Sequence, residues 1–255
     1  MSWRLGEAEQ AAFENDGFFV VEGFLDDEET RLLQEDVAAD VASDRQALER
    51  RDATGDVTRL AVKNELSADL YSAIVRSERI VRAMEVLLGG EVYHYHHKLM
   101  LKDPHHGGAW EWHQDYGYWY NNGCLFPYLA SCMIAVDAAS VENGCLQVVR
   151  GSHHLGRIEH GKVGDQTGAE VRRVAEARRR LETVHCEMGA GSAVFFHCNL
   201  LHRSDRNGSD RARTALIGCY NAARNDPYQQ SHHPSYTPLE VWPDARILEV
   251  GRARS

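Results

Sequence analysis

The chain has 255 residues, of which 43% are hydrophobic and 26% are charged, and its formal net charge is −10. This composition allows a full apolar core, and the negative charge argues against nucleic acid or an anionic membrane surface as the main partner. No stretch reaches the roughly eighteen consecutive apolar residues of a membrane-spanning helix. The start of the chain is acidic rather than basic and then apolar, so we expect a cytoplasmic protein without a secretory signal.

The first third of the chain is predicted to be mainly helical. Gly17 ends the first helix, and acidic residues after Asp26 occupy the first turn of the second, where they favour the helix dipole. Two glycines after Leu88 end a third helix. The predicted elements are, in chain order, a helix over 7–16, a strand over 18–24, a helix over 26–43, an exposed loop over 44–58 and a helix over 69–88.

From Glu91 onward the pattern changes to short apolar runs separated by turns, which favours a β-sandwich or barrel over alternating βαβ units. A basic segment, 168–180, is predicted to be a helix inserted between two strands. The predicted strands cover 91–101, 109–120, 128–138, 145–152, 180–188, 191–198 and 213–223. We therefore predict one domain that is mainly β with flanking helices, a double-stranded β-helix (jelly roll, cupin-like). Its expected parts are an N-terminal helical support (about 1–90), a jelly-roll core (about 91–225) and a C-terminal loop segment (226–255).

The segment 109–128 is unusually rich in aromatic residues and contains His113, Gln114 and Asp115. In a strand, residues i and i+2 project from the same face, so His113 and Asp115 would point together with Gln114 turned away. An imidazole and a carboxylate placed in this way are two ligands of a chelate. On its own, however, such a pair is more often a surface hydrogen bond than a metal site.

About ninety residues later, an apolar strand leads into two further candidate ligands, His197 and His202. Either histidine would complete a 2-His-1-carboxylate triad, a set of ligands that leaves three positions open on iron. Arg213 then begins another apolar strand. Its guanidinium would suit a bidentate contact with a carboxylate.

Three ordered motifs carry a family resemblance. They are W-H-Q-D at 112–115, E-N-G-C-L-Q-V-V-R-G-S-H-H-L-G at 142–156, and H-R-S-x-x-N-x-S from 202 followed by R-T-A from 213. With them, the chain resembles the phytanoyl-CoA dioxygenase family of Fe(II)/2-oxoglutarate-dependent oxygenases, from about Gly17 to about Asn225. The resemblance implies Fe(II), 2-oxoglutarate and O2, and hydroxylation of an unactivated C–H bond of a small metabolite, with succinate and CO2 as coproducts. It does not identify the substrate.

The resemblance also implies roles for individual residues. His113, Asp115 and His202 match the family's iron ligands. Arg213, eleven residues past His202, matches the arginine that binds the distal carboxylate of 2-oxoglutarate, and Ser204 matches a hydroxyl contact to the same cosubstrate.

The same spacing selects His202 over His197, because the residue eleven past His197 is Gly208, which cannot hold a carboxylate. Lys63 matches, more loosely, a lysine that some members place near 2-oxoglutarate. Leu99 or Lys98 is expected to line the same pocket.

The carboxylate of Asp115 bears on the type of reaction, because related oxygenases that halogenate have a small residue at that position. We therefore expect hydroxylation, with Tyr116, Tyr118 and Trp119 lining the substrate entrance. Two alternatives remain open: an acyl-CoA hydroxylase of the phytanoyl-CoA type, with the arginines of 168–180 on the CoA phosphates, and a jelly-roll metal-binding protein without oxygenase activity. The sequence also leaves open whether the protein is a monomer or a homodimer. For the histidines at 94, 96 and 97 we expect exposed or hydrogen-bonded strand positions rather than a second metal site.

Overall fold

In the computed structural model, the chain is described over residues 3–42, 48–52 and 54–254. Within these ranges, thirteen short antiparallel strands form its body. They are β1 (Phe18–Val21), β2 (Leu48–Arg51), β3 (Val57–Lys63), β4 (Val92–Lys102), β5 (Trp110–His113), β6 (Leu129–Ala135), β7 (Leu146–Val149), β8 (His160–Val163), β9 (Gln166–Ala169), β10 (Thr183–Cys186), β11 (Ala193–His197), β12 (His202–Ser204) and β13 (Arg213–Ala222).

Helices flank these strands, and they too come from separate parts of the chain. They are α1 (Glu7–Asp16), α2 (Asp27–Ala42), α3 (Leu70–Val75), α4 (Glu78–Leu87), α5 (Asp115–Trp119), α6 (Val171–Arg180) and α7 (Arg246–Arg254). No helix in the described ranges has both the length and the apolar character needed to cross a lipid bilayer.

Two antiparallel sheets form the body of the protein. The larger has the strand order β1-β11-β6-β13-β4-β3-β2, and the smaller has the order β10-β7-β12-β5. Strands distant in the chain are neighbours in both sheets, as in a jelly roll. A separate hairpin of β8 and β9 lies before α6. The predicted class, mainly β with flanking helices, is confirmed.

The strands of the larger sheet other than the exposed β2 contribute side chains to two different cores, because successive residues of a strand point to opposite faces. Phe195 packs in the core between this sheet and the helices, with Leu33, Ile74 and Met84, whereas its neighbour Phe196 packs in the interior between the two sheets. The side chains that face the interior of the jelly roll are therefore set by this alternation.

The predicted helix over 69–88 is divided in the structure into α3 and α4. At the break, the backbone of Trp242 accepts a hydrogen bond from Glu78 N–H and donates one to Arg76 O. The Arg76 guanidinium lies 3.5 Å from the centre of the Trp242 ring. The C-terminal segment thus supplies main-chain partners to a helix end, an interaction that local sequence does not reveal.

The structure also differs from prediction at three other places. Leu48–Arg51 is exposed but is a strand, β2, paired with β3, while residues 44–47 and 53 of the predicted loop lie outside the described residues. The N-terminal part, predicted as a helical support with one strand, supplies β2 and β3 to the larger sheet in addition to the predicted strand β1. The C-terminal segment, predicted as a loop, ends in α7, which buries Ile247 completely.

Candidate metal and cosubstrate site

The two histidines of the site lie on neighbouring strands of the smaller sheet. His113 is the last residue of β5 and His202 is the first residue of β12, and the two are direct partners in the antiparallel register. Their ring centres are 4.0 Å apart. Strand pairing therefore brings together two residues that are far apart in the sequence.

Asp115 reaches the same place by a different route from the one predicted. It is the first residue of α5, not a strand residue, and Gln114 occupies the N-cap position. The Gln114 side chain is buried and is held by the N–H of Ile158 (2.7 Å) and the carbonyl of Asn199 (2.7 Å). The strand therefore ends at His113, and the predicted alternation does not continue through the helix.

The three predicted ligands converge on one point. Their donor atoms lie within 4.8 Å of one another, and all three side chains are buried. Asp115 Oδ1 is 3.6 Å from His113 Nε2 and 3.9 Å from His202 Nε2. This set of two imidazoles and one carboxylate is the facial triad that suits Fe(II).

The hydrogen bonds around the histidines favour metal binding through Nε2. His113 Nδ1 donates to the carbonyl of Glu111 at 2.8 Å, and His202 Nδ1 donates to the carbonyl of Leu200 at 2.9 Å. These bonds place the ring proton on Nδ1 and leave the lone pair of each Nε2 directed at the third ligand. The donor set thus fits a divalent metal ion without rearrangement of either ring.

The electrostatic environment keeps the ligands in their metal-binding protonation states. Burial and the neighbouring His113 lower the pKa of His202 to about 3, so its imidazole is neutral at neutral pH. Burial alone would raise the pKa of Asp115, but the contact with His113 and the nearby side chains of His202 and Lys98 hold it well below its usual range. The carboxylate is therefore ionised.

Arg213 contributes a buried positive charge to the same cavity. It is the first residue of β13 and is 2% exposed, and its Nη2 donates to the carbonyl of Gly144 at 2.6 Å. Its Nε has no hydrogen-bond partner, and no carboxylate among the described residues forms an ion pair with it. Burial lowers the pKa of Arg213 to about 10, which still leaves it charged at neutral pH.

The hydroxyl of Ser204 is a second unpartnered group beside this charge. It is buried, has no hydrogen-bond partner among the described residues, and lines the cavity together with Arg213 and the three ligands. Unpaired buried charges and hydroxyls are costly unless a ligand satisfies them. The pair fits the distal carboxylate of a dicarboxylate such as 2-oxoglutarate, the role that the family resemblance implies.

The motif that contains Gly144 contributes to this anchor through its backbone. Gly144 has φ 78° in the turn before β7, and a Cβ there would lie 2.2 Å from the carbonyl oxygen of Asp205. The turn places the Gly144 carbonyl on the Arg213 guanidinium. The sequence carried no signal for this contact.

Two residues predicted near the cosubstrate lie elsewhere. Lys63 is exposed, and its Nζ is paired with Asp69 at 2.6 Å. Leu99 packs in the core between the larger sheet and the helices. Its neighbour Lys98, the alternative to Leu99, lines the cavity. The reason is the alternation of β4, which turns residue 98 inward and residue 99 outward.

The three aromatic residues predicted at the substrate entrance have different environments. Tyr116 donates its hydroxyl to the main-chain carbonyls of Cys124 and Leu125, so it holds the following loop. Tyr118 donates to Asp115 Oδ1 at 2.7 Å, which is the oxygen that faces both histidines. Trp119 is fully buried, with its indole N–H unpartnered.

The four other histidines considered in the sequence analysis, at positions 94, 96, 97 and 197, are not among the three converging ligands. His197, the other candidate ligand, lies outside the site, where its ring contacts Phe13 and His153. In β4, a bulge shifts the register between Tyr220 and Cys219, so His94 and His97 share the outer face and hydrogen-bond at 3.0 Å. Residues 94 and 96, two apart in one strand, would ordinarily share a face, but the bulge inserts one residue between them and separates them.

A jelly roll with this triad and a buried arginine beside it defines the class of Fe(II)/2-oxoglutarate-dependent oxygenases. The phytanoyl-CoA dioxygenase (PhyH) family model matches residues 13–215. The chain is 32% identical over 193 residues to L-proline trans-4-hydroxylase of Streptomyces griseoviridis, an alignment covering 69% of this chain and 70% of the relative. It is 28% identical over 236 residues to ectoine dioxygenase of Bordetella parapertussis, covering 84% and 74%.

Solved structures agree on the fold. The crystal structure of EctD from S. alaskensis with 2-oxoglutarate and 5-hydroxyectoine aligns with a TM-score of 0.78 at 22% identity, and covers 94% of this chain and 89% of that one. The chain belongs to the phytanoyl-CoA dioxygenase family.

Proposed function

We propose that the protein is an Fe(II)- and 2-oxoglutarate-dependent dioxygenase that hydroxylates an unactivated C–H bond of a small metabolite. The observation that carries the proposal is one cavity that contains the triad of His113, Asp115 and His202 together with the unpaired charge of Arg213. A metal hydrolase would need the triad but would have no use for the buried anion anchor. The presence of both groups favours the oxygenase reaction.

In this proposal, His113, Asp115 and His202 hold iron(II), which when bound supplies the O2-dependent oxidation that couples decarboxylation of 2-oxoglutarate to hydroxylation of the substrate. Arg213 and Ser204 bind the distal carboxylate of the cosubstrate and orient its other end toward the three ligands. Apolar side chains complete the cavity and exclude water from the reacting atoms; they are Met100, Met133, Leu146, Phe196 and Ile217.

Free amino acids and related small metabolites are the substrates that we would test first, since the named relatives act on L-proline and ectoine. We place the reaction in the cytoplasm. All six cysteines are free and buried, which fits a reducing compartment.

The test is release of succinate from 2-oxoglutarate under air with iron(II) and ascorbate, with and without each candidate substrate. The expected result is release that a substrate stimulates and that His202→Ala abolishes. His197→Ala is the matched control, because it removes a buried histidine outside the triad. Release equal to that of the His202→Ala variant, across the whole panel, would reject the oxygenase assignment.

A further inference from the structure

Lys98 is a second cation in the cavity, distinct from the proposed cosubstrate anchor. It lies on β4 opposite Ile217 of β13 and lines the cavity together with the three ligands. Within the described parts of the chain, no carboxylate lies within ion-pair distance of its ammonium group. Lys98 is partly buried and lies near enough to Asp115 to help lower the pKa of that metal ligand, but the two side chains form no ion pair. The ammonium group is therefore available to pair with a bound anion.

Two buried hydrogen-bonding groups without partners lie on the side of Lys98 away from Arg213. The His96 ring, one inward position along β4, is 3% exposed and its Nδ1 has no partner. The Trp119 indole N–H is fully buried and also has none, and the two ring centres are 5.7 Å apart. Burial lowers the pKa of His96 well below its ordinary value, so its ring is neutral.

The two cations belong to different ends of the cavity. Along β4, the inward residues are His96, Lys98 and Met100 in that order, so His96 and Met100 lie on opposite sides of Lys98. Arg213 contacts the Met100 side chain. Successive inward residues of a strand are about 7 Å apart. A 2-oxoglutarate molecule whose distal carboxylate is held by Arg213 and Ser204 directs its other carboxylate toward the three ligands. It therefore leaves the groups near His96, on the other side of Lys98, available to a second ligand.

We propose that Lys98, with the Trp119 indole N–H and the His96 imidazole, forms the subsite that binds the carboxylate of the primary substrate. The subsite rests on the proposed function, because it presupposes that Arg213 holds the cosubstrate. It selects small anionic acids over their neutral amides. An ammonium group and an indole N–H both donate to a carboxylate. Among the described residues the buried Trp119 N–H has no acceptor, and Lys98 forms no ion pair.

The C-terminal segment forms the outer wall of this subsite. The ring of His233 stacks on His96, with centres 4.6 Å apart and planes inclined by 19°, and it contacts Tyr95 at the same distance. A hydrogen bond from the side chain of Asn64, directly after β3, to the carbonyl of His232 links the same segment to the larger sheet. His233 thus covers the His96 ring.

The experiment compares binding of acids and their amides to Lys98→Met and to the wild type. The probes are L-proline, other free amino acids and small hydroxy acids, each paired with its carboxamide, titrated calorimetrically without O2 in the presence of Co(II) and 2-oxoglutarate. Lys63→Met is the matched control, because it removes an exposed lysine of the neighbouring strand that is already paired with Asp69. Lys98→Arg keeps the positive charge, and tests whether binding of the acid depends on that charge or on the shape of the lysine side chain.

The expected result is that the wild type and Lys63→Met bind at least one acid more tightly than its amide. Lys98→Met should lose this affinity by about 10- to 100-fold, the loss expected for one charge-assisted contact, while Lys98→Arg retains most of it. Three outcomes would overturn the proposal: no acid preferred over its amide, equal affinity of Lys98→Met and wild type, or a loss confined to 2-oxoglutarate. The last would assign Lys98 to the cosubstrate. Binding is measured without turnover, so the role of Lys98 can be judged even if the protein releases no succinate in the test of the proposed function.

Discussion

Replacement of Arg213 by methionine tests the proposed cosubstrate anchor most directly. The substitution keeps a long, flexible side chain in a buried position but removes the charge. In the wild type, the guanidinium has a carbonyl partner, Gly144 O, and lacks a carboxylate partner among the described residues, so the ligand would be its counter-ion. Truncating one side of a buried, hydrogen-bonded charge pair costs about 2–5 kcal/mol, which weakens binding by about 30-fold to about 4000-fold.

The same change should have a much smaller effect on the stability of the cosubstrate-free protein than on cosubstrate binding. Burial lowers the pKa of Arg213 to about 10, a sign that its charged form is destabilised in the folded chain. Arg213→Met relieves this cost and loses one hydrogen bond to a carbonyl, worth about 1 kcal/mol. We expect its free energy of unfolding to fall by no more than about 1 kcal/mol. Its affinity for 2-oxoglutarate should fall by about 30-fold or more.

Both quantities can be read from thermal unfolding at increasing 2-oxoglutarate concentration, with Co(II) present and O2 excluded. A ligand at one hundred times its Kd stabilises the folded state by about 2.7 kcal/mol, so the wild-type Tm should rise with concentration while that of Arg213→Met stays constant. Arg203→Met is the control, because Arg203 lines the same cavity but is ion-paired with Asp205. Equal dependence of Tm on 2-oxoglutarate in wild type and Arg213→Met would refute the anchor.

Three further predictions concern the ligands and the histidines. His202→Ala should abolish iron(II) binding, whereas His197→Ala should retain it, as measured by metal content after dialysis. Tyr118→Phe removes the 2.7 Å hydrogen bond to the carboxylate ligand and should weaken iron(II) affinity by about 10- to 100-fold, measured by titration. Burial lowers the pKa of His94 to about 3 and that of His97 to about 4. As the pH falls from about 6.5 to 4, these two histidines therefore take up protons mainly in the unfolded state. The free energy of unfolding, measured with urea, should therefore decrease over that window.

Each of these predictions has a clear contrary result. Iron retained by the His202 variant but lost by the His197 variant would reverse the ligand assignment. An unchanged iron affinity in Tyr118→Phe would mean that its hydroxyl does not position the carboxylate in the metal-bound protein. A free energy of unfolding that is constant or rises between pH 6.5 and 4 would show that the histidines are not kept neutral by burial.

Much of the site was predictable because its members occur in short motifs with characteristic spacing. The amino-acid sequence offers the two histidines, the aspartate and the arginine as candidates, and its resemblance to the family motifs favours His202 over His197. The jelly roll followed from short apolar runs separated by turns. These features are local, since they depend on residue type, on alternation along one strand and on distances along the chain.

The sequence by itself therefore determined which groups are candidates to bind the metal and the cosubstrate, and the tertiary structure decided which other groups face them. Lys98 rather than Leu99 points inward because β4 pairs with β13 in one particular register, and the bulge beside Tyr95 turns His96 inward and His94 outward. Such a register depends on the partner strand, which lies more than a hundred residues away. Tertiary structure also decides the contacts of Lys63 and His233. Lys63 pairs with Asp69 outside the cavity, and His233 reaches His96 only because the C-terminal segment folds back over the sheet.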